Sequence, residues 1–458
     1  MSRVLVIGGG ISGLTTAFTA ASRGHEVTVV EARERVGGCI GTSRLGPCRF
    51  ENGPNSVQGK APDFRQLCKE LGIAEAIVPA SPVASDRHLY FRGRLQRLPT
   101  SFKDFLATDL LTTGQKFRAV MERFVKPRPA GHEETVAEFF GRRIGRGLTM
   151  TLVDVVVTGT FAGNPNRIGM LSAFPEIVRM EQQYGSLLNA LRLRAAESRM
   201  KEGRREPAMV SLTGGLQTLP ETLRAKLGTA VRTGLSAESL VRRPEGGYGV
   251  HVRDAAGNVE ELRADQVVLS LPAERAGMLL APLVADAADL LFEVEYASLV
   301  VAHAVFPKEA IPGLPVGFGF LVPRCMRMRT LGWMSTSHIF PDTAPEGLVA
   351  MTAFLGGVLD PAAIDMDEGQ LRHLLLGELA LALHQKQTPQ PLQFRLVRWP
   401  SVLPQLTVGH ARRIEAVRAL LAAEVPGIHL AGNWTAGPAI ERCIRAGRAT
   451  ADAIGCPA

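Results

Sequence analysis

Aromatic residues are scarce in this chain. They make up 6% of it, with 3 tryptophans and 4 tyrosines. No recognisable nucleic-acid-binding module accompanies them, which argues against a nucleic acid partner despite a net charge of +8. The 6 cysteines (Cys39, Cys48, Cys68, Cys325, Cys443, Cys456) are scattered, with no CxxC spacing. Neither a zinc site nor a disulfide framework follows, and a reducing cytoplasmic compartment fits. No uninterrupted apolar run approaches the ~18 residues of a spanning helix, which argues against an integral membrane protein. A signal peptide pattern is missing too: Met1-Ser2-Arg3 leads into Val4 to Ile7, only strand length, and glycines follow. No Ser-His-Asp set, metal cluster or paired carboxylate stands out.

What is present describes a folded, loop-rich chain. Its 458 residues are 46% hydrophobic and 21% charged, with 47 glycines and 29 prolines. That length exceeds one ordinary core and implies two or three domains. With nucleic acid set aside, the basic balance leaves an anionic membrane surface or an acidic substrate.

The first 31 residues read as a βαβ unit. Val4 to Ile7 form a short apolar strand, Gly8-x-Gly10-x-x-Gly13 follows, and an amphipathic stretch runs from Leu14 to Ser22. A second apolar run, Val27 to Val30, ends at Glu31. Gly8 permits a tight turn, Gly10 lets the backbone approach a pyrophosphate, and Gly13 lets helix and strand pack closely. The helix start at Ile11 and Ser12 offers amides and positive dipole to phosphates. Glu31 is placed to accept hydrogen bonds from ribose hydroxyls. The whole predicts a dinucleotide site.

The residues after Glu31 point to FAD rather than NAD. Ala32 and Arg35-Val36-Gly37-Gly38 resemble the E-x-x-x-R-x-G-G extension of FAD-dependent oxidoreductases of the amine oxidase type. Many relatives carry Arg directly after the two glycines, where this chain has Cys39. Gly53-Pro54-Asn55 resembles a segment that approaches the flavin in that group. Near the C-terminus, Ile428 to Ala431 feeds Gly432-Asn433-Trp434, and a helix opens near Ala439 and Ile440. This resembles the superfamily's C-terminal FAD motif, whose helix-start amides face the pyrimidine end of the flavin. A third visit opens at Thr213-Gly214-Gly215, and the Val231 position resembles one that packs on the adenine. Val250 to Arg253 and Glu260 to Arg263 read as a hairpin, and Gln266 to Leu271 as a buried strand.

Residues 99–204 read as helical. Phe117, Val120, Met121 and Phe124 form a stripe at helical spacing among Lys116, Arg118, Arg123 and Lys126. Core packing is the common fate of such a stripe; membrane contact and a tunnel cover are the alternatives. Arg192, Arg194, Arg199, Lys201, Arg204 and Arg205 form a second basic run, solvated or facing phospholipid. Residues 291–404 alternate like an antiparallel sheet, with strands over 297–306, 317–322, 329–334 and 348–354 and a helix over 371–383. Such a sheet makes a floor for a substrate pocket.

Taken together, these segments resemble the oxygen-dependent, FAD-containing protoporphyrinogen oxidases across nearly the whole chain. The motifs are Gly8 to Gly13, Asp86-Arg87-His88-Leu89-Tyr90, Gly159 to Asn164, Phe174-Pro175 with Glu181-Gln182, Gly317 to Pro323, and Pro404 to His410. The resemblance implies an α/β, Rossmann-like FAD domain (1–80, 205–290, 405–458), an α+β substrate domain (81–98, 291–404) and a helical, membrane-associating domain (99–204). It implies a six-electron oxidation of a porphyrinogen by FAD, with oxygen as acceptor and hydrogen peroxide as product. It implies a peripheral position on the inner face of the cell membrane. Arg87 resembles an arginine that pairs with a substrate propionate. Phe318 and Leu321 resemble positions that sandwich the macrocycle, and Gly159 one that leaves room beside it. Trp399 and Trp434 are candidates for the flavin's surroundings. Coproporphyrinogen III oxidation, an amine or polyene oxidase, and a flavin-binding scaffold stay open as rivals, and a homodimer is left open.

Overall fold

The computed structural model describes residues 1–129, 131–200 and 207–454. Three distant stretches of chain supply one parallel sheet. Its strands run in the order Val231–Thr233, Glu26–Glu31, Arg3–Ile7, Gln266–Leu269, Ile428–Leu430. All four pairings are parallel, with Val6 opposite both Val29 and Val268. A sheet covered on both faces needs apolar residues on both sides of each strand, and Val4, Leu5, Val6 and Ile7 are all buried. Helix Ile11–Ser22 packs on one face beside helix Ile440–Ile454. The expected hairpin forms, Tyr248–Arg253 against Val259–Ala264, and a third strand, Ser236–Arg242, joins it.

The second sheet has seven strands: Gln393–Pro404, Tyr296–Pro307, Leu348–Gly356, Thr330–Met334, Gly319–Leu321, Arg87–Phe91, Arg94–Arg97. Helix Glu368–Ala382 packs on it through Leu371, Leu375, Leu376 and Leu379, all fully or almost fully buried. As expected, every pairing within residues 291–404 is antiparallel; the exception involves a strand from outside that stretch. Gly319–Leu321 pairs with Arg87–Phe91 in parallel. The two strands are joined by a long excursion through both other regions rather than by a hairpin, so nothing constrains them to run antiparallel.

Between residues 99 and 200 the chain is helical, with no laddered strand among the described residues. Helix Arg146–Leu148 continues through a π-helical turn, Thr149–Val153, into helix Asp154–Phe161. The fully buried Arg143 ties helix Val136–Ile144 to Glu122 and Glu181. The amphipathic stripe behaves differently from a core stripe. Helix Thr113–Val120, opened by a Thr112/Gln115 capping box, gives way to a 3-10 turn, Met121–Phe124. Phe117 and Phe124 are 67% and 62% exposed, so core packing is not their fate. Lys201, Arg204 and Arg205 of the second basic run lie outside the described residues.

Candidate active site

At the carboxyl edge of the parallel sheet, the glycine loop takes the form its spacing requires. Gly8 has φ +109°, and a Cβ there would lie 2.3 Å from Ser270 O. A Cβ on Gly13 would lie 2.1 Å from Gly8 O, so only glycine lets the helix start this close to the strand. Gly10 differs: a Cβ there would meet nothing within 4 Å, so the space over the loop is open. Helix Ile11–Ser22 begins directly behind that space, with Ile11 and Ser12 in its first turn.

Glu31 ends its strand beside the loop. Its Oε2 accepts from Gly9 N at 2.8 Å and its Oε1 from Arg33 N at 2.9 Å. Ala32, next to it, is exposed. The second glycine turn lies alongside the first: Gly37 N donates to Gly9 O at 2.8 Å, and Gly10 and Gly37 form a parallel bridge. Gly38 follows at φ +59°. Arg35 braces that turn from within, donating to Val36, Gly38 and Ile40 carbonyls at 3.3, 2.9 and 2.9 Å. Burial lowers its pKa. Burial also pushes the Cys39 thiol up, against the pull of Arg33 and Arg35. The turn Gly53-Pro54-Asn55 packs on Cys39, since a Cβ on Gly53 would sit 2.1 Å from Cys39 O.

The last described helix completes this end. Gly432 takes φ +136°, and Cys443 N donates to Ala439 O at 3.0 Å in the first turn of helix Ile440–Ile454. Thr16 Oγ1 donates to Gly447 O at 3.1 Å, while Ser12 lies against Cys443 four residues earlier on each helix. Equal offsets mean the two helices run in the same direction, so both N-termini reach the same edge. Two positive helix ends, an acid at a strand end and an open glycine loop suit a dinucleotide's pyrophosphate and ribose. Val231, buried, lies at the sheet's outer strand opposite Val29. Trp399 joins from the second sheet: its Nε1 donates to Asn52 O at 2.6 Å, with the Arg33 guanidinium 5.8 Å from its ring centre. Trp434 is fully buried core, its Nε1 donating to Leu271 O at 2.8 Å.

The second group of candidates meets where the sheet faces the helices. The parallel pairing sets Arg87 opposite Gly319, and the Arg87 guanidinium lies 4.9 Å from the Phe318 ring centre. Gly319 has φ +119°, with Trp333 O only 2.1 Å from where its Cβ would be. That conformation releases Phe318 from the strand's alternation, in which Phe320 is buried. Leu321 comes within 3.8 Å of a Cβ built on Gly159. Arg87 is open to solvent, has no ion pair or side-chain hydrogen bond among the described residues, and has its pKa lowered by desolvation. Its neighbour Arg97 is engaged by Asp86.

Sequence reasoning missed several residues that shape these sites. Asp154, almost fully buried, pairs with Arg324 and so ties the helix carrying Gly159 to the loop after Leu321. Glu51 accepts from Thr42 Oγ1 at 2.8 Å and from Leu216 N at 3.0 Å, joining two distant stretches of the chain beside this edge. Burial raises its carboxyl to about 7. No local signal marks either, because the partners are far apart in sequence. Among the described residues no cluster could hold a metal ion.

The fold and this edge define a FAD-dependent oxidoreductase of the amine oxidase architecture. The chain matches the flavin-containing amine oxidoreductase family over residues 11–455. It is 30% identical to protoporphyrinogen oxidase 1, chloroplastic, of Arabidopsis thaliana, over 98% of this chain and 87% of that protein. It is 28% identical to coproporphyrinogen III oxidase of Bacillus subtilis (strain 168), over 97% and 96% respectively. Among solved structures, a protein of Exiguobacterium sp. 255-15 provisionally named protoporphyrinogen oxidase superposes with a TM-score of 0.84 at 25% identity, covering 99% of this chain and 98% of that one. Cyclohexylamine oxidase from Brevibacterium oxydans IH-35A shares the fold, with a TM-score of 0.70 at 18% identity and the same coverage. The chain belongs to the flavin-containing amine oxidoreductases and, within them, to the protoporphyrinogen oxidase group; it is an enzyme, and its cofactor is FAD.

Proposed function

We propose that this enzyme oxidises protoporphyrinogen IX to protoporphyrin IX in haem synthesis. Six electrons leave the substrate in three two-electron steps, oxygen takes them up, and hydrogen peroxide forms. Bound FAD supplies the acceptor for each hydride. Gly8, Gly10, Gly13, Ile11 and Ser12 would hold its pyrophosphate. Glu31 and Ala32 would face the adenosine ribose, and Val231 the adenine. Arg35 would act by shaping the turn Gly37-Gly38. Gly53-Pro54-Asn55, Trp399, Gly432, Ala439 and Ile440 would surround the flavin end.

One observation carries the substrate: Arg87, an accessible guanidinium with no anionic partner among the described residues, stands over Phe318 near a wall made by Leu321 and Gly159. Guanidinium matches a propionate with two parallel bonds, and apolar walls suit a macrocycle. Such a site needs orientation more than an acid or base. Coproporphyrinogen III is the second reading, favoured by the likeness to the Bacillus enzyme. It carries two more carboxylates, which would want further free cations. Arg97 and Arg324, both close by in the fold, are already paired with Asp86 and Asp154, which supports the dicarboxylate.

Porphyrin fluorescence during aerobic turnover tests the assignment, with kcat/KM compared for the two porphyrinogens. Preference for protoporphyrinogen IX is the expected result. Preference for the tetracarboxylate moves the enzyme to the second reading, and turnover of neither by FAD-loaded protein rejects both.

We also infer peripheral contact with an anionic lipid surface at the inner face of the cell membrane. No helix among the described residues is long and apolar enough to cross a membrane. Yet Phe102, Leu106, Phe117, Phe124, Leu191 and Leu193 are all exposed on adjoining helices, interspersed with Lys103, Lys116, Arg123 and Arg192. Apolar tips among cations suit an interface with acidic headgroups.

A further inference from the structure

The strand Gln393–Pro404 reaches the flavin-side turn with two side chains, and only Trp399 was expected there. Arg395, four residues earlier and so on the same face, is the other. Its Nη2 donates to Ser43 Oγ and, at 3.4 Å, to Asn52 Oδ1, while Nη1 donates to Arg44 O at 3.3 Å. Ser43 Oγ in turn donates to Asn52 Oδ1 at 2.7 Å, and Trp399 holds the Asn52 carbonyl. Asn52 is thereby gripped at side chain and backbone, immediately before Gly53-Pro54-Asn55.

These contacts give Arg395 hydrogen bonds but no counter-charge. Among the described residues no carboxylate pairs with it, its Nε is buried without a partner, and desolvation lowers its pKa. The opposing strand adds no negative charge. His303 faces Arg395 in the ladder, packs on Phe50 at 4.6 Å and has its pKa depressed to about 3 by burial and by Arg395 itself, so it stays neutral. Arg395 is half-buried, and a partly desolvated cation left uncompensated carries a cost and acts at longer range than in water. Such a cost is tolerated where function uses it.

We propose that Arg395 is a positioning residue for the flavin whose uncompensated charge, tethered to Asn52, favours the reduced and more negative form of the cofactor. This rests on the reading that the 53–55 turn faces the flavin. Arg395 touches no reacting atom in this scheme; it sets the turn and the field behind it.

Reductive titration of the FAD-loaded enzyme against a reference dye tests this, alongside thermal unfolding. Arg395→Gln should shift the reduction equilibrium about tenfold toward oxidised flavin, about 30 mV for a two-electron couple. Its unfolding temperature should fall only slightly, because the variant loses hydrogen bonds to Ser43, Arg44 and Asn52 but also removes a charge that lacked a counter-charge. Arg395→Lys keeps the charge and should keep the potential. An unchanged potential in Arg395→Gln overturns the proposal. If Arg395→Gln loses FAD or fails to fold, the neutral, similarly long Arg395→Met decides: a tenfold shift toward oxidised flavin supports the charge, and a wild-type potential overturns it. Asn55→Ala checks the premise separately through the flavin absorption bands. If those bands move while Arg395→Gln leaves the potential alone, only the role of Arg395 has failed. If Asn55→Ala leaves them unchanged, the turn reading itself has failed.

Discussion

Arg87 and Glu51 show how differently one charged side chain can serve this molecule. Among the described residues Arg87 has no ion pair or side-chain hydrogen bond, only its stack on Phe318, so removing it should cost at most about 1 kcal/mol of stability. Arg87→Ala is expected to lower kcat/KM for the porphyrinogen by the loss of one charge-assisted pair, about 1.5–3 kcal/mol or roughly 10–150-fold. An unchanged kcat/KM would take Arg87 out of the site. Glu51 is structural and titrates near neutrality. Its carboxyl rises from an ordinary 4.5 to about 7 because burial penalises the charged form. The folded protein therefore binds the proton more tightly than the unfolded chain. That contribution is complete below about pH 4.5 and is lost as pH rises through 7, worth up to about 3 kcal/mol. Glu51→Gln can still accept from Leu216 N and donate to Thr42 Oγ1, so its stability should fall less between pH 6 and 8.5. Denaturant unfolding at both pH values checks this; equal losses in both proteins would contradict it.

At the scale of elements, helix packing sets the geometry of the edge proposed to hold FAD. Helices Ile11–Ser22 and Ile440–Ile454 approach closely because Gly447 lacks a side chain: a Cβ there would lie 2.6 Å from Ser12 O. That contact is to backbone and cannot rotate away. Gly447→Ala should force the helices apart, cost about 1–3 kcal/mol and weaken FAD retention. Unfolding temperature and flavin content per protein read both effects, and a variant with normal values of each would refute the packing argument. The glycine spacing, the apolar strand and Glu31 were all legible, because turn, helix and strand follow one another within 31 residues. The approach of Ile440–Ile454 was legible only as a helix after a glycine turn. Its partner and direction depend on contacts more than 400 residues apart. The stripe Phe117 to Phe124 marks the opposite limit. Periodicity reports that a helix has an apolar face, and it cannot report what that face meets.

For the whole molecule, the exposed apolar surface over residues 102–193 bears on where the enzyme works. Sedimentation with vesicles containing phosphatidylglycerol should carry down the wild type, and Phe117→Ser/Phe124→Ser should reduce the bound fraction several-fold. The double variant should keep its turnover of detergent-dispersed substrate, since neither residue lies by the cofactor edge. Equal binding of both proteins would dismiss the lipid role of this face. Arg395 belongs to this scale as well, for it joins the seven-stranded sheet to the turn after Glu51.

By itself the sequence determined the glycine loop, the FAD-type extension, the strands of both sheets in outline, and a family likeness strong enough to name a chemistry. Those features are local or carried by short motifs, and local sterics and hydrogen bonding decide them. Only the tertiary structure decided the parallel pairing that sets Arg87 beside Phe318, the ion pair of Asp154 with Arg324, the shared direction of the two helices and the lack, among the described residues, of a counter-charge for Arg395. Each joins residues brought together only when the chain closes on itself. Whether a charge is paired or left alone is a property of that closure.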